Sequence, residues 1–120
     1  MLIKRLGECR QIVAGDGTLL RELLHPARDE ATIRYSLAVA QVRPGSRSRP
    51  HRLKTSEVYY IIRGLGVMHV GDEQARVSAG DAVYIPSDSL QWIENSGAND
   101  LEFACIVDPA WRREDEEVLP

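Results

Sequence analysis

The chain has 120 residues, 43% apolar and 28% charged, and a formal net charge of −3 from 15 basic and 18 acidic side chains. That length predicts one domain, residues 1–120, able to bury a core without disulfide staples. The charge excludes a protein held to nucleic acid by a broad basic field, and the lack of a hydrophobic leader or of an apolar run near 20 residues predicts a cytoplasmic protein with no membrane partner.

Taken in order, the first fifteen residues are mixed, with Ile12, Val13 and Ala14 as a short strand before the Gly15-Asp16-Gly17 turn. TLLRELL (18–24) fits a helical stripe through Leu19, Leu20, Leu23 and Leu24, and also a strand. The β-rich sequence that follows decides for the strand. HPARDEA reads as a loop and residues 32–43 as a strand, with Leu37, Val39 and Gln41 on one face and Ala38, Ala40 and Val42 on the other. Glu57 to Arg63 is the most β-prone run. Its two apolar faces predict a strand buried on both sides or packed at a dimer contact.

Val67–Val70 and Ala75–Val77 flank a hairpin turn at Gly71-Asp72-Glu73. Val83–Ile85 and Leu90–Glu94 flank a turn over Pro86 to Asp88, and Leu101–Val107 is the last predicted strand. The tail, residues 108–120, is charged, with Trp111 as its one large anchor and Glu114–Glu117 predicted to be solvated. Of the two cysteines neither forms a C-x-x-C pair, which argues against a zinc ribbon or thioredoxin-type site. Cys105, inside LEFACIV, reads as a small buried apolar residue. About nine or ten short strands joined by Gly, Pro and Asn turns predict an all-β sandwich or barrel.

Two stretches organise the chain, GSRSRPHRLKTSEVYYIIRG (45–64) and GDAVYIPSDSLQWIEN (80–95). Gly45, His51, Glu57 and Gly64 fall at the spacings of the first cupin motif, and Gly80, Pro86 and Asn95 at those of the second. The chain thus resembles the cupin superfamily over roughly residues 32–107. The resemblance implies a double-stranded β-helix of jelly-roll type, a cupin-like barrel. In cupins three histidines and a glutamate converge inside the barrel on a divalent metal. Here the second histidine is Leu53, the third is Gln91, and a motif glycine is Asp88.

The resemblance therefore implies a degenerate metal site of His51, Glu57 and Gln91, with His25 as a possible added imidazole if its segment lines the barrel mouth. Gln91 offers only a neutral carbonyl oxygen, tolerable to a hard ion and poor for zinc, copper or nickel. A metal-free His51–Glu57 pair working as an acid–base couple, or as a structural pair, stays open beside it. Tyr35, Tyr59 and Tyr84 can turn hydroxyls into a pocket, and Leu53 and the inward Met68 add apolar wall. Alternation sets His69 outside. Trp92 is expected on the outside too, packing on a second subunit or on Trp111. Arg47, Arg49, Arg52, Lys54 and Arg63 form either a solvated face or an entrance that attracts a small anion.

Two functions follow. One is a metal-dependent isomerase, decarboxylase or dioxygenase acting on a small organic acid, sugar derivative or phenolic compound. The other is a non-catalytic module that binds a small molecule without metal. Either is expected to form a homodimer.

Overall fold

The computed structural model describes residues 1–120, and the chain forms eleven strands with no α-helix. They are β1 (Gln11–Val13), β2 (Leu19–Leu24), β3 (Ser36–Val42), β4 (His51–Leu53), β5 (Ser56–Arg63), β6 (Leu65–Val70), β7 (Glu73–Ser78), β8 (Ala82–Ile85), β9 (Gln91–Asn95), β10 (Leu101–Asp108) and β11 (Glu116–Val118). Two antiparallel sheets face each other, one in the order β1-β2-β3-β10-β5-β8 and the other β11-β4-β9-β6-β7. This is the predicted jelly-roll, with TLLRELL a strand rather than a helix. No helix is long and apolar enough to cross a membrane.

Period-two alternation decides which side chains enter the space between the sheets. On β5 these are Glu57, Tyr59 and Ile61, and on β10 Leu101, Phe103, Cys105 and Val107, all buried. The register sets Val42 opposite Leu101, Ala40 opposite Phe103, Ala38 opposite Cys105 and Ser36 opposite Val107. Along β3 the inward side chains therefore shrink from Val42 to Ser36, and along β5 they change from Ile61 through Tyr59 to Glu57. At the Ile61 end Val42, Ile61, Met68, Ile93, Leu101 and Phe103 close-pack into the core. At the Glu57 end the small residues leave the interior open.

Gly64 sets the turn from β5 to β6. Its φ is +93°, and a Cβ there would lie 2.7 Å from the Asp100 carbonyl oxygen and 2.8 Å from the Leu101 Cα. Both the left-handed backbone and the approach to β10 require glycine.

Three expectations change. Residues 32–35 lie outside β3. The tail is not simply solvated, since β11 pairs with β4, setting Glu116 opposite Leu53 and Val118 opposite His51. His25 supplies no imidazole to a metal, because both of its ring nitrogens are engaged elsewhere. Nδ1 accepts from the Ala27 N–H at 3.1 Å, so Nε2 carries the proton and donates to the Trp111 carbonyl at 2.7 Å. This buried ring clamps the C-terminal segment onto the turn after β2.

His25→Ala removes both bonds and the buried ring that makes them. We expect a loss of about 2–3 kcal/mol in urea denaturation and faster amide exchange in β11. Gly64→Ala, forced against backbone atoms, is expected to cost more than His25→Ala in the same measurement.

Candidate functional site

The open end of the sandwich is a cavity of about 790 Å³. Ala38, Ala40, Leu53, Tyr59, Phe103 and Cys105 form its apolar wall, and Trp111 and the N-terminal segment around Ile3 to Val13 border its mouth. Among the polar side chains that line it, Asp16, His51, Glu57 and Glu116 come from four separate elements.

His51 lies on β4, almost wholly buried, with Nδ1 2.7 Å from the Arg49 carbonyl. A carbonyl only accepts, so Nδ1 carries the proton, and Nε2 lies 3.7 Å from Asp16 Oδ2. Asp16 comes from the turn between β1 and β2. Its Oδ1 accepts from the Thr18 N–H at 3.0 Å and the Thr18 hydroxyl at 2.7 Å. The Asp16 carbonyl accepts from the Arg49 N–H at 2.7 Å, tying that turn to the segment that carries His51.

Glu57, on β5, is 6% exposed, and its Oε1 has no hydrogen-bond donor. Burial pushes its carboxyl up to about 8; the Gln91 amide draws it partly back, and the Asp16 and Glu116 carboxylates push it further up. Glu116 arrives on β11 beside Leu53. Burial raises its carboxyl as well, with His51 pulling down, Asp16 pushing up and Trp111 pulling down. A Cβ on Gly15 would come within 3.1 Å of Glu116 Oε1, so the missing side chain at Gly15 leaves room for this carboxylate. Burial, reinforced by the nearby Glu57 charge, holds the Tyr59 hydroxyl and the Cys105 thiol well above their usual ranges. Neither is therefore a nucleophile at neutral pH.

Of the residues singled out by sequence, the structure gathers His51, Glu57, Leu53 and Tyr59 at the cavity. Gln91 pairs across strands with His51 and is buried beside the floor rather than lining it, its Oε1 without a donor. Met68 packs in the core instead of the pocket. Tyr35 and Tyr84 are 42% and 66% exposed and also leave the pocket, Tyr84 because alternation turns it to the outer face of the six-stranded sheet and Tyr35 because it precedes β3.

The basic run of the first motif does not form the entrance. The cations at the mouth are Lys4, Arg5, Arg10 and Arg28 instead. His69 faces the outside of its sheet, as expected, stacked on Trp92 at 4.2 Å and 9°. Within the chain Trp92 packs on this imidazole rather than on Trp111. Sequence reasoning missed Asp16, Trp111 and Glu116. Gly15-Asp16-Gly17 was legible as a turn, but nothing local aims its carboxylate inward.

No three histidine, cysteine, aspartate or glutamate side chains converge closely enough to hold a metal ion. Leu53 fills one of the family's ligand places with hydrocarbon, and Gln91 offers a neutral oxygen from behind the floor. The residues present do not assemble the three-histidine, one-glutamate set. What they can do is hold and move protons. Below about pH 8 Glu57 is a neutral acid, and the His51 ring turns Nε2 toward Asp16 beside it.

The raised Glu57 group has a consequence for stability. Its carboxyl ionises near 4.5 when unfolded and near 8 when folded. The folded state binds the extra proton, so this contribution is fully present below pH 4.5 and is lost as pH rises to 8. Over that window the loss is on the order of 5 kcal/mol. Denaturation curves from pH 4.5 to 8 are expected to show this decline in the wild type and a much flatter profile in Glu57→Gln.

Comparison with known proteins agrees with this architecture. The chain is 40% identical over 108 residues to an uncharacterised protein of Methanocaldococcus jannaschii, covering 89% of this chain and 86% of that one. It is 33% identical over 89 residues to the oxalate-binding protein of Thermotoga maritima, covering 72% and 74%. A solved Thermotoga maritima structure, described as a predicted oxalate decarboxylase, superposes with a TM-score of 0.77 at 27% identity, covering 90% of this chain and 99% of that one. The family model for the cupin domain matches residues 38–107. The chain belongs to the cupin domain family.

Proposed function

We propose that this cupin binds a small molecule in the barrel cavity, against Glu57, His51, Asp16 and Glu116. The observation that carries the reading is the Glu57 carboxyl, buried with one oxygen unpartnered at the wall of a cavity of about 790 Å³. Buried polar atoms are nearly always satisfied, and this carboxyl, on a residue that borders a ligand-sized space, is not satisfied by the chain's own donors. The likeness to an oxalate-binding protein supports a small ligand rather than a macromolecule.

The metal reading keeps one observation in its favour. Oε1 of Glu57 and Oε1 of Gln91 are both buried without a donor, and a divalent cation held by His51, Glu57 and Gln91 satisfies both. A proton on Glu57 removes the need for a cation at that carboxyl, in agreement with the upward push on it. Elemental analysis of untagged protein purified without chelator separates the two. We expect well under one metal per chain. One per chain, lost in Glu57→Ala, would establish the metal reading.

The assembly we propose is a homodimer through the outer face of the six-stranded sheet. There Tyr60, Ile62, Tyr84 and Ile106 are exposed on adjacent strands and form an apolar surface suited to a symmetric contact. Light scattering at micromolar concentration is expected to give twice the mass of one chain, and the mass of a single chain would contradict the dimer.

The ligand pocket is tested by filling it. Ala38 faces the cavity from β3. We expect Ala38→Phe to stay within about 1.5 kcal/mol of wild-type stability, since the added ring enters open space. It should abolish every thermal shift that a small-molecule library produces in the wild type. Shifts that persist unchanged would place the ligand elsewhere.

A further inference from the structure

The interior charge of the pocket is one-sided. Asp16, Glu57 and Glu116 bring three carboxyl groups from three separate elements, and a single imidazole, His51, stands among them. The cations that border the cavity do not answer them. Lys4 is paired with Asp29 at 2.9 Å and Arg28 with Glu22, while Arg5 and Arg10 are exposed on the N-terminal segment at the mouth. Asp16 has one oxygen satisfied by Thr18, but its Oδ2 meets only the His51 ring edge at 3.7 Å. Independently of the cluster, Glu57 is more than nine-tenths buried, borders the cavity and has an oxygen with no donor. The rest of the wall mixes the aromatic rings of Tyr59, Phe103 and Trp111 with the hydroxyls of Thr18 and Ser36 and the carboxylates of Glu8 and Glu22.

We propose that the pocket selects a small organic cation, a protonated amine on an apolar body, and rejects dicarboxylates such as the oxalate for which its Thermotoga maritima relative is named. The inference rests on the reading of the cavity as a ligand pocket. An ammonium group carries three donors and no acceptor, which suits the Asp16 and Glu116 carboxylates, and a cation bound beside Glu57 favours the ionised, accepting form of that carboxyl too. Its hydrogen bonds to carboxylates are charge-assisted, and aromatic ring faces attract the same charge. Oxalate would bring two further negative charges to three carboxyl groups in a partly desolvated space, where like charges repel more strongly than in water. Leu53 and Gln91, at two of the family's ligand places, supply no cation to offset them.

The test is a calorimetric comparison on the purified full chain with ligands matched in body and differing in charge. Benzyl, cyclohexyl and butyl bodies are each presented as ammonium, alcohol and carboxylate, with oxalate added in the presence and absence of Mn²⁺. We expect at least one ammonium to bind about tenfold or more tighter than its alcohol, a difference of about 1.4 kcal/mol, with no heat from the carboxylates or oxalate. Glu116→Gln, on the short edge strand, is expected to weaken that ammonium several-fold and narrow its advantage over the alcohol. Asp16→Asn should do the same. Should Asp16→Asn loosen its turn, Glu116→Gln alone still decides, with circular dichroism confirming the fold.

A carboxylate binding as tightly as its ammonium would overturn the inference while leaving the pocket reading standing. Oxalate binding that requires Mn²⁺ would do likewise. Silence from every member of all three series would remove the pocket reading and the inference together.

Discussion

A carboxyl group held inside a β-sandwich with no donor for one of its oxygens is the constraint on which the rest of this structure depends. Desolvating a charge is costly, and the usual remedies are a partner or a proton. Glu57 has the proton: burial lifts its carboxyl to about 8. Three features keep it in this state. The alternation of β5 points it inward behind Tyr59 and Ile61. The small side chains of Ala40, Ala38 and Ser36 on β3 leave the space beside it unfilled. The further carboxylates, Asp16 and Glu116, make ionisation still less favourable. The cavity and the raised acidity thus have one origin, an interior that changes from large and apolar to small and polar along the same strands.

The two ends of the chain complete that interior. The N-terminal segment and the turn through Asp16 close one side, and β11 with Trp111 closes another. Neither belongs to the part matched by the family model, residues 38–107. The His25 ring joins them by bonding the turn after β2 to the Trp111 carbonyl, and the Arg49 N–H bond to Asp16 ties the N-terminal turn to the segment before β4. Where the family pattern supplies histidines from inside the barrel motifs, this chain has Leu53 and Gln91 there and draws carboxylates from its flanks. The site is therefore a property of the whole 120-residue chain rather than of the barrel motifs alone.

Much of this was legible in the sequence. The spacing of Gly45, His51, Glu57, Gly64, Gly80, Pro86 and Asn95 carried the fold, because those positions answer to local demands: turns that need glycine or proline, and inward places on strands. Gly64 illustrates this, being required by its own φ and by the nearness of Asp100. What stayed hidden depends on long-range pairing. Nothing in WRREDEEV shows that Glu116 will face Leu53 rather than water, since that follows from β11 adding to the edge of β4. Tyr35, Tyr59 and Tyr84 look equivalent as strand tyrosines, yet only Tyr59 shares the inward phase of Glu57. His25 looked like a spare ligand because a histidine's partners, here a carbonyl 86 residues away, cannot be read from its neighbours.

The most direct test of the account is the titration of Glu57 itself, followed through the side-chain carboxyl carbon by NMR in the metal-free protein. The account predicts a midpoint near pH 8, in a carboxyl that stays neutral through pH 6. A midpoint near the ordinary 4.5 would mean that Glu57 is ionised and satisfied by a partner the cavity does not contain, and it would contradict the reading of this pocket as one built around a buried neutral acid.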